Sequence, residues 1–214
     1  MRKFILPALL IVGFASCQSA YYAAMEKVGV HKREILVDRM EAAREDQVEA
    51  KEQIQTTYEA FQELTGFDGN GLEAIYEKLK SEYEDAESEA GDVSNRIESV
   101  ESVAGAMFDE WEDEINEITN SDLRSKSMGL RKNAMKRYDN VLKAMHAAEA
   151  KMAPVLESFN NHVLFLKHNL NAEAISSLKG TAVEIEGDVA ELIRSMQLSI
   201  DEADNFLKEM KPAE

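Results

Sequence analysis

Apolar residues recur at alternating steps of three and four along almost the whole chain, and this spacing is what most constrains its fold. It is the signature of helices that bury one stripe against other helices. The clearest run reads Leu72, Tyr76, Leu79, Tyr83, Ala86, Ala90, Val93, Ile97, Val100, Ala104, Met107, Trp111, Glu114, Ile118. Only Glu114 breaks it, and Ile115 stands beside it as a substitute. A catalytic cleft in a small globular fold is not what such continuous heptads encode.

Four segments carry the pattern. The first is expected from Ala24 to Thr65, with a seam of Leu36, Met40, Ala43, Gln47, Ala50, Ile54, Thr57, Phe61 and Leu64. Its middle is weak, because Ala and Gln replace Leu. The second runs from Leu72 to Ile118 after a Gly-rich stop at Thr65–Gly71. The third starts after Asn120, with Ser121 or Asp122 as N-cap. Its seam includes Met135, Tyr138, Leu142, Met145, Glu149, Met152, Leu156, Phe159, Val163, Leu166 and Leu170. Pro154 removes one donor there and is expected to kink or restart the helix. The fourth follows Asn171, a plausible N-cap, through Ile175, Leu178, Ala182, Ile185, Val189, Leu192, Met196, Ser199, Ala203, Phe206 and Met210 to Pro212. Gly180 and Gly187 weaken it locally, by about 1 kcal/mol each relative to Ala.

Helices of this length span about 60–70 Å each, and short connections force antiparallel neighbours. The expected fold is all-α: an elongated antiparallel bundle or coiled coil of about four long helices, over residues 24–211. Three helices suffice if the Asn171 turn does not form. The Asn120 turn and the C-terminus then share one end, and the Gly66–Gly71 and Lys167–Asn171 turns share the other.

The N-terminus specifies location. Met1-Arg2-Lys3, an apolar run from Phe4 to Gly13 and Phe14-Ala15-Ser16-Cys17 read as a secretory signal peptide over residues 1–16. The run is too short to span a bilayer as a stable helix. Ala15-Ser16-Cys17 resembles the lipobox of bacterial lipoproteins, in which the Cys is acylated, although Phe14 stands where an aliphatic residue is usual. Plain secretion to the periplasm, with cleavage nearby, is the alternative, and a retained cytoplasmic N-terminus a third. Residues 17–23 are expected to form a lipidated tether, with the adjoining bundle end at the membrane. Gln18 after the Cys resembles outer-membrane sorting, which leaves the body facing the periplasm.

Removal of residues 1–16 takes away Arg2 and Lys3 and no acidic residue, so the formal charge moves from −17 to −19. Such a body repels phosphates, which argues against nucleic-acid partners. It also repels anionic membranes, so the lipid must do the holding. Cys17 is the only cysteine, which leaves no disulfide and no thiolate metal site.

Several stretches carry a family likeness: Lys32–Arg39, Phe67-Asp68-Gly69, Phe108–Glu114 and Leu164–Ala172, with His168-Asn169-Leu170-Asn171 the most specific. From Val28 to Phe206 the chain resembles the uncharacterised bacterial family catalogued as domain of unknown function 2959. The resemblance implies a mostly helical envelope protein and carries no established activity, so no catalytic residue transfers with it.

No catalytic, metal or cofactor constellation emerges. His31, His146, His162 and His168 lie outside any nucleophile motif, and His162 and His168, six apart, fall on different helix faces. Asp68-Gly69-Asn70-Gly71 lacks the remaining ligands of a calcium loop. Glu110, Glu112, Asp113 and Glu114 read as a solvated face. The stretch from His162 to Ala172 is apolar on several sides. It is either the densest core layer or, with Phe67, a partner-docking tip made of Phe67, His162, Phe165, Leu166, His168 and Asn169. The leading expectation is a non-enzymatic envelope lipoprotein that acts as spacer, adaptor or assembly module. The alternative is a periplasmic protein that binds divalent cations or a small ligand. An unknown envelope protein is the expected partner, and self-association is left open. The C-terminus lacks the terminal Lys of wall-linked lipoproteins.

Overall fold

A computed structural model of the chain describes residues 15–67 and 71–210. The signal-peptide reading lies almost wholly outside these residues, as does the Asp68-Gly69-Asn70 turn. The described residues form six helices: α1 (Ala15–Lys27), α2 (Lys32–Gly66), α3 (Leu72–Glu117), α4 (Ser121–Leu166), α5 (Ala172–Leu178) and α6 (Ala182–Met210).

Four of them make the body, an up-down-up-down bundle in which α2, α3, α4 and α6 pack as a closed square. Polar contacts fix each antiparallel register. Arg96 meets Asp46 at 2.8 Å and Lys78 meets Glu63 at 2.7 Å between α3 and α2. Arg44 meets Asp204 at 2.5 Å between α2 and α6. Lys151 pairs with Glu191, and Arg137 with Glu209, between α4 and α6. At 46 residues, α3 and α4 each span about 69 Å.

The three-four seams are the core. Every seam position of the first segment, from Leu36 to Leu64, is buried. Leu79, Ile97, Met145, Leu166, Leu192 and Met196 are sealed from other faces of the square. Phe61 and Phe159 meet edge-on with ring centroids 6.2 Å apart. The middle is thin, as the Ala and Gln residues foretell: Gln47 on α2 and Ser199 on α6 are both fully buried, and neither side chain has a hydrogen-bond partner among the described residues.

The structure differs from the sequence reading at four places. Residues 17–23, expected as a tether, are helical and belong to α1, and the first segment does not continue through Gly29. Val30 N–H donates to the Met25 carbonyl and Gly29 N–H to that of Glu26, with Gly29 at φ +87°. This is a Schellman stop, which needs a residue tolerant of the left-handed region. At Pro154, α4 continues without a break from Ser121 to Leu166. The N-cap of α4 is Asn120, whose Oδ1 accepts from Asp122 and Leu123 N–H at 3.0 Å, rather than Ser121 or Asp122. Finally, the fourth segment is interrupted at Lys179–Thr181. Asn171 does cap α5, accepting from Ala174 N–H at 3.0 Å, but Thr181 restarts the chain as α6. Burial of Ile175 and Leu178 makes α5 a short lid on the distal end of the core.

Candidate functional site

The six docking-tip candidates separate once placed. Leu166 is 0% exposed and belongs to the core. It closes the seam of α4 and has no surface to offer a partner. His162 is half-buried and braces the lid: its Nδ1–H donates to the Ser158 carbonyl at 2.6 Å, and its Nε2 lies 3.2 Å from Thr181 Oγ1. Its ring also stands edge-on to Phe61, with centroids 5.1 Å apart. Phe67 is half-buried at the end of α2, with its N–H donating to the Leu64 carbonyl. Phe165, His168 and Asn169 are exposed. Asn169 Nδ2 donates to the Phe165 carbonyl at 2.8 Å and so closes the end of α4. The apolar surface at this end is Leu164, Phe165 and Val183, at 55%, 41% and 71% exposure. Leu164 and Phe165 follow from the motif, whereas Val183 belongs to a seam flank and carried no signal.

At the other end α1 doubles back along the α2–α3 face. Tyr22 is buried, with its hydroxyl 2.9 Å from Ser102 Oγ. Arg39 reaches the same hydroxyl at 3.3 Å and the Ser99 carbonyl at 3.0 Å, and its guanidinium lies 5.6 Å from the Tyr22 ring centroid. Lys32 joins Glu26 of α1 to Glu110 of α3. Moving from Glu26 back to Tyr22 therefore moves down α3 from Glu110 to Ser102. Cys17 lies five residues farther in the same direction; its side chain, like those of residues 15–20, is outside the description. The chain thus meets the bundle on its flank. Lys27-Val28-Gly29, a basic last turn followed by Gly, is the sequence signal for this reversal.

Titratable groups cluster on the shaft, not in an enclosed cleft. His146 spans α3 and α4, with Nδ1 2.9 Å from Glu149 and Nε2 3.0 Å from Glu101. Both nitrogens can donate only in the imidazolium. Its pKa is raised, by the bond to Glu149 first and then by that to Glu101. Glu149 is held below the ordinary carboxylate value: burial opposes this, but the Ser94 and His146 bonds prevail. Spacing finds only the i,i+3 pair of His146 and Glu149 on α4; Glu101 joins it from α3. Glu89 is raised, by burial and then by the carboxylates of Glu49, Asp92, Asp46 and Asp85. Burial pushes the phenols of Tyr83 and Tyr138 up to about 12.

A groove of about 940 Å³ runs between α3 and α4 near the Asn120 turn, lined by Ile115, Met128 and Met135 with Arg124, Arg131 and Lys132. Its lining contains no histidine, serine, threonine or cysteine. Trp111, a core residue on the sequence reading, is half-buried and donates its Nε1–H to Ser127 Oγ at 2.9 Å. Among the described residues no group of three or more His, Cys, Asp or Glu could hold a metal ion. No helix among them is long and apolar enough to cross a membrane.

The model of the family described as protein of unknown function, DUF2959, matches residues 21–210, and the chain belongs to that family. No curated protein and no solved structure matches it.

Proposed function

We propose that this DUF2959 member is a non-enzymatic envelope lipoprotein, acylated at Cys17, that works as a helical spacer or adaptor. The observation that carries the reading is the lipobox-like Phe14-Ala15-Ser16-Cys17 placed directly before the bundle. With the thiol acylated, the buried chains hold the protein at a bilayer that its negative body would otherwise avoid. The far end offers Leu164, Phe165 and Val183 to a partner in the envelope. Outer-membrane attachment facing the periplasm follows from Gln18.

Metabolic labelling with an alkynyl fatty acid tests the anchor. Label is expected on the wild-type protein and absent from Cys17→Ser, which moves to the soluble fraction. A wild-type protein that takes no label and fractionates as soluble refutes it. Phe165→Asp tests the tip: crosslinking from that end should lose its discrete product while helicity stays constant. Leu166→Asp is unsuited to this purpose, because it buries a charge in the core.

Diffuse cation binding along the acidic shaft, without a ligand cluster among the described residues, is the second reading, favoured by the negative charge of Glu49, Asp92, Asp46 and Asp85 near Glu89. It predicts that millimolar divalent ions raise Tm beyond the effect of monovalent salt at equal ionic strength. Equal shifts in both salts rule it out.

A further inference from the structure

The folded-back position of α1 and a membrane anchor at Cys17 make conflicting demands. While α1 is docked, its N-terminal end points along the shaft toward the distal lid. From the level of the Asp46–Arg96 pair, α2 still runs twenty residues to Gly66, about 30 Å. A bilayer reached by acyl chains at Cys17 would then have to lie against the side of the shaft. The α2–α3 side beyond Tyr22 presents Asp46, Glu49, Asp85, Glu89 and Asp92 around the single Arg96, and Glu89 is raised there by burial and then by the neighbouring carboxylates. Anionic headgroups repel such a face.

The attachment of α1 is correspondingly slight. Of its residues with described side chains, Tyr22 alone is buried, while Tyr21, Ala23, Ala24 and Lys27 are exposed. Met25 is half-buried against the core, and the rest of the helix's hold comes from Ser102, Arg39 and the Glu26–Lys32 pair. The reversal turns on Gly29. A detached helix of 13 residues is marginal in water.

We propose that α1 is a strap with two positions, docked on the α2–α3 face in the free chain and swung out at Val28–Gly29 when Cys17 is held in a bilayer. The swing lets the shaft stand away from the headgroups and turns α1 into the tether. It rests on the acylation reading above.

Amide hydrogen exchange of the mature chain from Cys17 tests it in two forms: Cys17→Ser in solution, and wild type coupled through its single thiol to maleimide-phospholipid in phosphatidylethanolamine–phosphatidylglycerol vesicles. Chemical coupling supplies the anchor even if the cell does not, so the strap can fail or stand independently of natural acylation. Tyr22–Lys27 are expected to exchange at least tenfold faster in the vesicle-held form, with α2–α6 unchanged. Equal protection in both forms overturns the proposal and leaves a shaft lying on its side. In solution Tyr22→Ala should raise exchange of α1 to the vesicle-held rate; an unchanged rate overturns the docked position argued from the Tyr22 seat.

Discussion

Replacing Gln47 by Met should make the bundle more stable, against the usual direction for a core substitution. Gln47 is fully buried at the middle of α2, and among the described residues both its Oε1 and Nε2 lack partners, as does Ser199 Oγ on α6. A buried polar group without a partner costs about 1–3 kcal/mol in lost hydration. Methionine has nearly the same length, bends easily and removes both polar atoms. The expected gain is therefore about 1–3 kcal/mol. In a chain of this size each kcal/mol raises Tm by about 2–4 °C. Urea unfolding followed by circular dichroism at the helical minimum should show a higher midpoint with an unchanged slope. A loss of about 1 kcal/mol or more would refute the reasoning, because it would mean that the amide is satisfied by enclosed water that the substitution expels. Ser199→Ala, measured alone and with Gln47→Met, separates the two sites: a coupling above about 0.5 kcal/mol marks a shared polar layer.

Other perturbations have equally definite outcomes. The raised His146 contributes its stabilisation below the unfolded value of 6.5 and loses it as pH rises through the folded value, while the lowered Glu149 loses its share as pH falls through its own. Urea midpoints should therefore fall from about pH 6 to about pH 8, by a few tenths of a kcal/mol given the exposure of the site, and His146→Gln should flatten that slope. Phe159→Ala removes a fully buried ring and its edge-on contact with Phe61, so a loss of about 3–5 kcal/mol is expected in the same assay. Asn171→Ala deletes the bond to Ala174 N–H and should cost about 0.5–2 kcal/mol. Its effect should appear as faster amide exchange in α5, with α3 unaffected.

The bundle was readable because burial and period coincide. The α2 seam from Leu36 to Leu64 is buried throughout, and the α6 seam from Ile185 to Phe206 likewise. Local chemistry at the ends was harder. Lys27-Val28-Gly29 signals a helix stop, but the fold-back that follows shows only in the structure, where Gly29 takes a positive φ and Tyr22 seats on α3. At Gly180 the sequence signals a weak point, but whether a helix bends or stops depends on what the lid can bury, here Ile175 and Leu178. Pro154 does not restart the helix, since buried seam residues on both sides, Met152 and Leu156 among them, hold it together across the missing donor. The docking-tip candidates mixed two populations. Leu166 and Phe165 adjoin in sequence, yet a helix turns them about 100° apart, one inward and one outward.

The square closes between α2 and α6, the two body helices farthest apart in the chain. Of the four body helices α6 is made last, so the apolar stripes of α2 and α4 wait uncovered until its 29 residues emerge. During that interval the nascent molecule is a three-helix sheaf with one open side, sticky toward itself and toward any chaperone at hand. A chain cut before Ala182 would keep α2 and α4 each with an apolar stripe that only α6 covers.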